Sequence, residues 1–97
     1  MMAEVRFSPE AQADLIELYS YIADRSSAKT ASSFVDRIEQ CSQGLSIFPE
    51  RGTSRGDLRP GLRTLGFERR ALIVFLAKPD RVLILRILYG GQDFAYA

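Results

Sequence analysis

Polar and apolar residues alternate through Glu4-Val5-Arg6-Phe7, the period of a short strand with one buried face. The alternation stops at Ser8-Pro9. A serine able to accept from a free first-turn amide, a proline pre-set for the first helical position, and Glu10 and Asp14 near the positive helix end together predict a helix start. Ala11, Leu15, Leu18 and Ile22 then recur at helical spacing, with Tyr19 beside the stripe and Asp14 and Glu17 off it. This helix is expected to run to about Asp24.

After the connector Arg25-Ser26-Ser27, with a capping serine, a second amphipathic helix is marked by Ala31, Phe34, Ile38, Cys41, Leu45 and Phe48, ending before Pro49. So short a connector leaves an antiparallel hairpin, its two stripes facing each other and a sheet. Neither period survives through residues 49–61, which hold three glycines and two prolines and read as a long loop. Residues 62–67, 70–77 and 81–89 read as strands, the last two joined by the turn Lys78-Pro79-Asp80, and a meander is the economical topology. The expected class is α+β: an N-terminal strand, then an antiparallel helical hairpin packed on an antiparallel β-meander.

Residues 71–77 and 82–85 are apolar at every position, so both sheet faces should be at least partly covered. The hairpin can cover one. The tail, a loop, a partner protein or a second copy of the chain would serve for the other.

With 97 residues, 46% hydrophobic and 26% charged, the chain suits one compact domain and is too short for two cores. No apolar run is long enough to span a bilayer, and the N-terminus lacks a secretory stretch, so a cytoplasmic protein is expected, away from membranes. The single cysteine, Cys41, has no internal disulfide partner and no histidine to join it in a metal site or nucleophilic pair; it reads as a small buried apolar residue. Neither a metal nor a cofactor is expected. Net charge is only +1, yet residues 1–50 hold eight acids against four bases while residues 51–86 hold nine bases against three acids. Eleven of the thirteen bases are arginine, whose flat fork suits carboxylates and phosphates, so the second half permits an anionic partner; a solvated strand face accounts for it equally.

Given this order of elements, certain words carry weight: residues 5–11 (Val-Arg-Phe-Ser-Pro-Glu-Ala) with Asp14-Leu15, then Tyr19-Ser20-Tyr21-Ile22-Ala23, Phe48-Pro49-Glu50-Arg51-Gly52, residues 58–63 (Leu-Arg-Pro-Gly-Leu-Arg), and residues 84–93 (Ile-Leu-Arg-Ile-Leu-Tyr-Gly-Gly-Gln-Asp). Each is weak alone. Their order and spacing resemble the ParE/RelE toxin superfamily of type II toxin–antitoxin systems over nearly the whole chain. The resemblance implies a helical hairpin on an antiparallel sheet. It also implies a toxin silenced in a hetero-oligomer with a tightly bound antitoxin, usually encoded beside it.

That superfamily holds two activities: ParE-like members act on DNA gyrase and block replication, and RelE-like members cut messenger RNA on the ribosome. RNA cleavage needs a proton acceptor, a proton donor and cations around the phosphorane-like charge. Here there is no histidine, and Lys29 and Lys78 match no basic position of the nuclease pattern. Arginine does not shuttle protons, and Tyr89 could act only with a lowered pKa. The sequence therefore reads as a ParE-like toxin without a catalytic residue, with gyrase as target and a ParD-like antitoxin as partner. A ribosome-dependent endonuclease and a non-toxic antitoxin-binding remnant are the alternatives.

The candidate target- or antitoxin-binding residues are Arg59, Arg63, Arg70, Arg86, Tyr89, Gln92, Asp93, Phe94 and Tyr96. Arg86 is read as sharing a face with Val82, Ile84 and Leu88, where it either pairs with an acid such as Glu68 or Asp57, lies exposed near the strand end, or anchors a partner on the face away from the helices. Arg59 and Arg63 flank Pro60-Gly61, a turn that either aims both in one direction or leaves them in a solvated loop. Phe94 and Tyr96 follow Gly90-Gly91 and either fold back onto the core edge or belong to the C-terminal segment that the resemblance associates with toxicity. Tyr19 and Tyr21 lie on opposite sides of the first helix, so at most one faces the core.

Overall fold

The computed structural model describes residues 3–90. Strand β1 (Glu4–Phe7) leads into helices α1 (Pro9–Arg25) and α2 (Ala28–Gln43), followed by a 3-10 turn at Gly44–Ser46 and strands β2 (Thr53–Ser54), β3 (Leu62–Phe67), β4 (Ala71–Ala77) and β5 (Arg81–Tyr89). The sheet order is β1-β5-β4-β3-β2; β1 runs parallel to β5 and every other pair is antiparallel.

Both helices begin where the serines place them. Ser8 Oγ accepts from the Ala11 amide at 3.0 Å and Ser27 Oγ from the Thr30 amide at 3.1 Å. The stripes of α1 and α2 bury Leu18, Ile22, Phe34 and Ile38 against Ile73, Phe75, Val82, Ile84 and Ile87 of the sheet. The opposite sheet face carries a smaller cluster of Leu62, Val74, Leu76 and Leu88, with Leu72, Leu83 and Leu85 packed around it. The unbroken apolar runs are thus explained by burial on two faces. Cys41 is half-buried and packs against the helix-side cluster.

Three expectations are corrected. The second helix does not continue to Phe48. It tightens after Gln43 into the 3-10 turn, whose three residues per turn rotate the stripe, so Leu45 is buried while Phe48 is 64% exposed. The loop of residues 49–61 contains β2, whose Thr53 and Ser54 pair with Thr64 and Arg63. Asp14, placed off the α1 stripe by the sequence, is buried.

The meander carries a one-residue irregularity in β5. Phe75 faces Ile84 but Val74 faces Arg86, so Leu85 is the extra residue. A bulge reverses which side chains point inward. Val82 and Ile84 face the helices before it, and Ile87 and Tyr89 after it, so Arg86 shares a face with Leu88 and not with Val82 or Ile84. The β3–β4 connection, residues 68–70, has positive φ at both Glu68 (50°) and Arg69 (58°), and the Arg70 amide donates to Phe67 O at 3.0 Å to close the turn. This geometry suits a right-twisted hairpin but normally takes Asn-Gly, because side chains with a Cβ are strained there.

Candidate functional site

The parallel pairing of β1 ends at Phe7 opposite Ile84. From Leu85 onward, one edge of β5 has no strand beside it among the described residues, and the start of α1 closes that edge with side chains instead. Ser8 Oγ, while capping α1, donates to Leu85 O at 2.8 Å. Six residues further on, Asp14 Oδ2 accepts from the Ile87 amide at 2.9 Å, so a carboxylate stands where a neighbouring strand's carbonyl would be.

The same carboxylate takes Arg86 in a two-pronged pair, with Nε at 2.7 Å from Oδ2 and Nη2 at 3.0 Å from Oδ1. Arg86 therefore reaches around the strand edge to α1, and neither Glu68 nor Asp57 is the acid it meets. The Asp14 side chain is 8% exposed and that of Arg86 39%, a half-desolvated ion pair whose acid is satisfied by three donors.

The acids proposed for Arg86 are otherwise engaged. Glu68 accepts from Arg37 Nε at 2.8 Å and Nη2 at 3.0 Å, and this hydrogen bonding holds its carboxyl below the ordinary value while raising that of Arg37. The Arg55 guanidinium, hydrogen-bonded to Asp57 at 3.3 Å, lowers the Asp57 carboxyl in the same way.

Arg63 folds back onto its own loop, donating to the carbonyls of Arg51 at 3.0 Å, Glu50 at 2.7 Å and Gly52 at 3.4 Å. It ties the loop to β3 rather than being aimed outward together with Arg59, which is exposed. Arg70, expected to open the strand, is exposed in the turn just before β4. Gln92, Asp93, Phe94 and Tyr96 lie outside the described residues.

Tyr89 joins an aromatic series that the sequence reading missed. Its ring meets Tyr21 edge-on at 5.3 Å and Phe34 at 5.7 Å; Phe34 in turn meets Phe67 at 5.5 Å, and the Arg25 guanidinium lies 3.7 Å above Tyr21. Beside it Asp14, Glu17, Leu18, Tyr21, Ile87, Tyr89 and Gly90 enclose a groove of about 390 Å³. A second groove of about 420 Å³ crosses the outer side of the helical hairpin between Leu15, Ile16, Tyr19 and Val35, with Ile16 69% exposed.

A family model described as the ParE toxin of the type II toxin–antitoxin system parDE matches residues 5–94. The chain belongs to the ParE toxin family. Toxin ParE3 of Caulobacter vibrioides is 39% identical over 82 residues, spanning 84% of this chain and 81% of that protein. A chain of the chromosomal ParDE toxin–antitoxin system of P. aeruginosa superposes with a TM-score of 0.78 at 28% identity, over 91% of this chain and 96% of its own. The conserved hypothetical protein HP0894 of Helicobacter pylori, at 15% identity and a TM-score of 0.55 over 96% of this chain and 100% of its own, shares the fold.

The family match agrees with the resemblance carried by the sequence words and makes the chain a ParE-type toxin of a type II toxin–antitoxin system. In this ParE toxin, the residues that sequence reasoning did not select are Asp14, Ser8 and Tyr21. A signal for Asp14 was present: it stands three residues after Ala11 and four before Leu18, within the buried stripe rather than beside it. A carboxylate at such a position calls for a buried partner. Among the described residues no helix is long and apolar enough to cross a membrane.

Proposed function

We propose that this ParE toxin binds DNA gyrase in the cytoplasm and blocks replication by occupancy, without covalent chemistry of its own, and that a ParD-like antitoxin silences it. The observation carrying this reading is the commitment of Arg86. A ribonuclease of this fold needs groups able to move protons, held beside cations at the scissile phosphate. Arg86 is instead held by Asp14 at the sheet edge, the chain has no histidine, and Lys29 and Lys78 stand at the start of α2 and in the β4–β5 turn.

For the antitoxin, the support is the exposed apolar groove of Leu15, Ile16, Tyr19 and Val35, together with the likeness to a ParDE system. A segment of a second protein burying that groove removes an aggregation liability, and the toxin is then stored as a hetero-oligomer.

The test is to express the chain in bacteria without antitoxin and pulse-label nascent DNA and protein. DNA synthesis is expected to stop first. If protein synthesis stops first, the target is the ribosome and the gyrase reading fails; if neither stops, this copy is an antitoxin-binding remnant.

A further inference from the structure

The β3–β4 turn has a feature that packing does not explain. Its two central residues, Glu68 and Arg69, both hold positive φ, where Asn-Gly would meet the same geometry without strain. Glu68 has a structural use, since it anchors Arg37 of α2. Arg69 has none: it is exposed and forms no ion pair among the described residues, while the adjacent Arg70, also exposed, makes no close ion pair there and acts on Glu68 through its charge. A strained backbone carrying an exposed cation at a turn tip is the kind of outlier that points to a use for the side chain.

A third arginine belongs to the same end of the molecule. Gly90 N donates to Arg70 O, Tyr89 stands opposite Ala71, Tyr21 packs on Tyr89, and the Arg25 guanidinium lies over the Tyr21 ring. Of the acids nearby, Glu68 is neutralised by Arg37 and Asp14 by Arg86. Glu17, beside Tyr21 in the groove, and Asp24, next to Arg25 on α1, are acids of the same helix, and Glu10 stands at its far, N-terminal end.

We propose that Arg69, Arg70 and Arg25 form a contact surface for the phosphate backbone of duplex DNA. Guanidinium forks match phosphate oxygens, and the surface lies on an exposed turn and helix end. The grooves described above, which would suit a peptide, are lined by other residues. The proposal adds to the gyrase reading without depending on it, because it concerns the free toxin and DNA alone.

The test is fluorescence anisotropy with a short labelled duplex across a salt series. Three phosphate contacts predict a slope of log affinity against log salt of about −2.7, and each arginine removed should reduce its magnitude by about 0.9. Arg69→Gly is the informative variant, because glycine accepts φ 58° freely and the fold is retained or strengthened while the contact is lost. We expect it, and Arg70→Gln, each to weaken binding by about fivefold at low salt with the shallower slope. Lys78→Gln, in the β4–β5 turn at the opposite end of the sheet, removes the same charge and should leave the affinity unchanged.

Equal affinity and slope for Arg69→Gly and the parent chain would overturn the proposal, as would absence of DNA binding by the parent at low salt. If Arg69→Gly and Arg70→Gln bind DNA normally but lose affinity for a ParD-like antitoxin, the arginines serve an acidic protein surface and the proposal is wrong. None of these outcomes alters which synthesis stops first in the pulse-labelling experiment.

Discussion

Asp14→Ala removes the acceptor for three donors at once, and its cost can be worked from the structure. The Ile87 amide sits on a residue 2% exposed, so leaving it without an acceptor costs about 1–3 kcal/mol. The Arg86 pair adds about 1 kcal/mol after allowance for solvent screening of a side chain 39% exposed. The sum, about 2–4 kcal/mol, is a large part of the ~5–15 kcal/mol that holds a domain of this size together. Urea denaturation should show the midpoint falling with an unchanged slope, and thermal unfolding should shift down by at least about 10 °C. Asp14→Asn keeps an oxygen for the Ile87 amide and should lose roughly half as much. In a double-mutant cycle, Asp14→Ala and Arg86→Ala should be non-additive by about 1 kcal/mol, since the first removes the partner of the second. A loss below about 1 kcal/mol for Asp14→Ala would refute the view that this carboxylate closes the strand edge.

Other perturbations separate local causes. Gly52 has φ 79°, and a Cβ there would lie 2.1 Å from Thr64 O, so Gly52→Ala should destabilise by about 2 kcal/mol or more by chemical denaturation and displace β2. Ser42 Oγ is fully buried with no hydrogen-bond partner among the described residues, so Ser42→Ala should be neutral or stabilising by about 1 kcal/mol, and a clear loss of stability would show that the hydroxyl has a partner in solution. The Glu68 carboxyl is lowered by Arg37 from the ordinary 4.5, so its contribution to stability is present above that pH and is lost as pH falls through the lowered value. Glu68→Gln should therefore lower stability slightly near neutrality, leave it unchanged at low pH, and so flatten the acid limb of a stability-against-pH curve.

The order of elements was legible because each rests on local chemistry. Serine at two helix starts, alternation in β1, and apolar runs broken by Glu68-Arg69 and by Pro79 appear in the chain itself, and the strands at 62–67 and 81–89 match the structure to the residue. The second helix was overextended because a 3-10 turn keeps the composition of a helix while changing its rotation, and Gly44 was the available cue.

The candidate site was less legible. Arg59, Arg63, Arg70, Arg86 and Tyr89 were chosen one by one, and the structure gives them separate surroundings: Arg63 ties down its loop, Arg86 closes a strand edge, and Tyr89 builds an aromatic array.

What the sequence by itself determined was the set of elements and, through ordered motifs, the toxin family, because periodicity and capping are properties of neighbours along the chain. Only the tertiary structure decided where Arg86 points. Its partner lies 72 residues away, and the parity of β5 is reversed by a bulge that no local pattern marks. The parallel pairing of β1, which stops at Ile84 and leaves the edge for Asp14 to close, is likewise a contact between distant segments. Such contacts are set by which surfaces meet when the hairpin packs on the sheet, and that information is not local to any stretch of the chain.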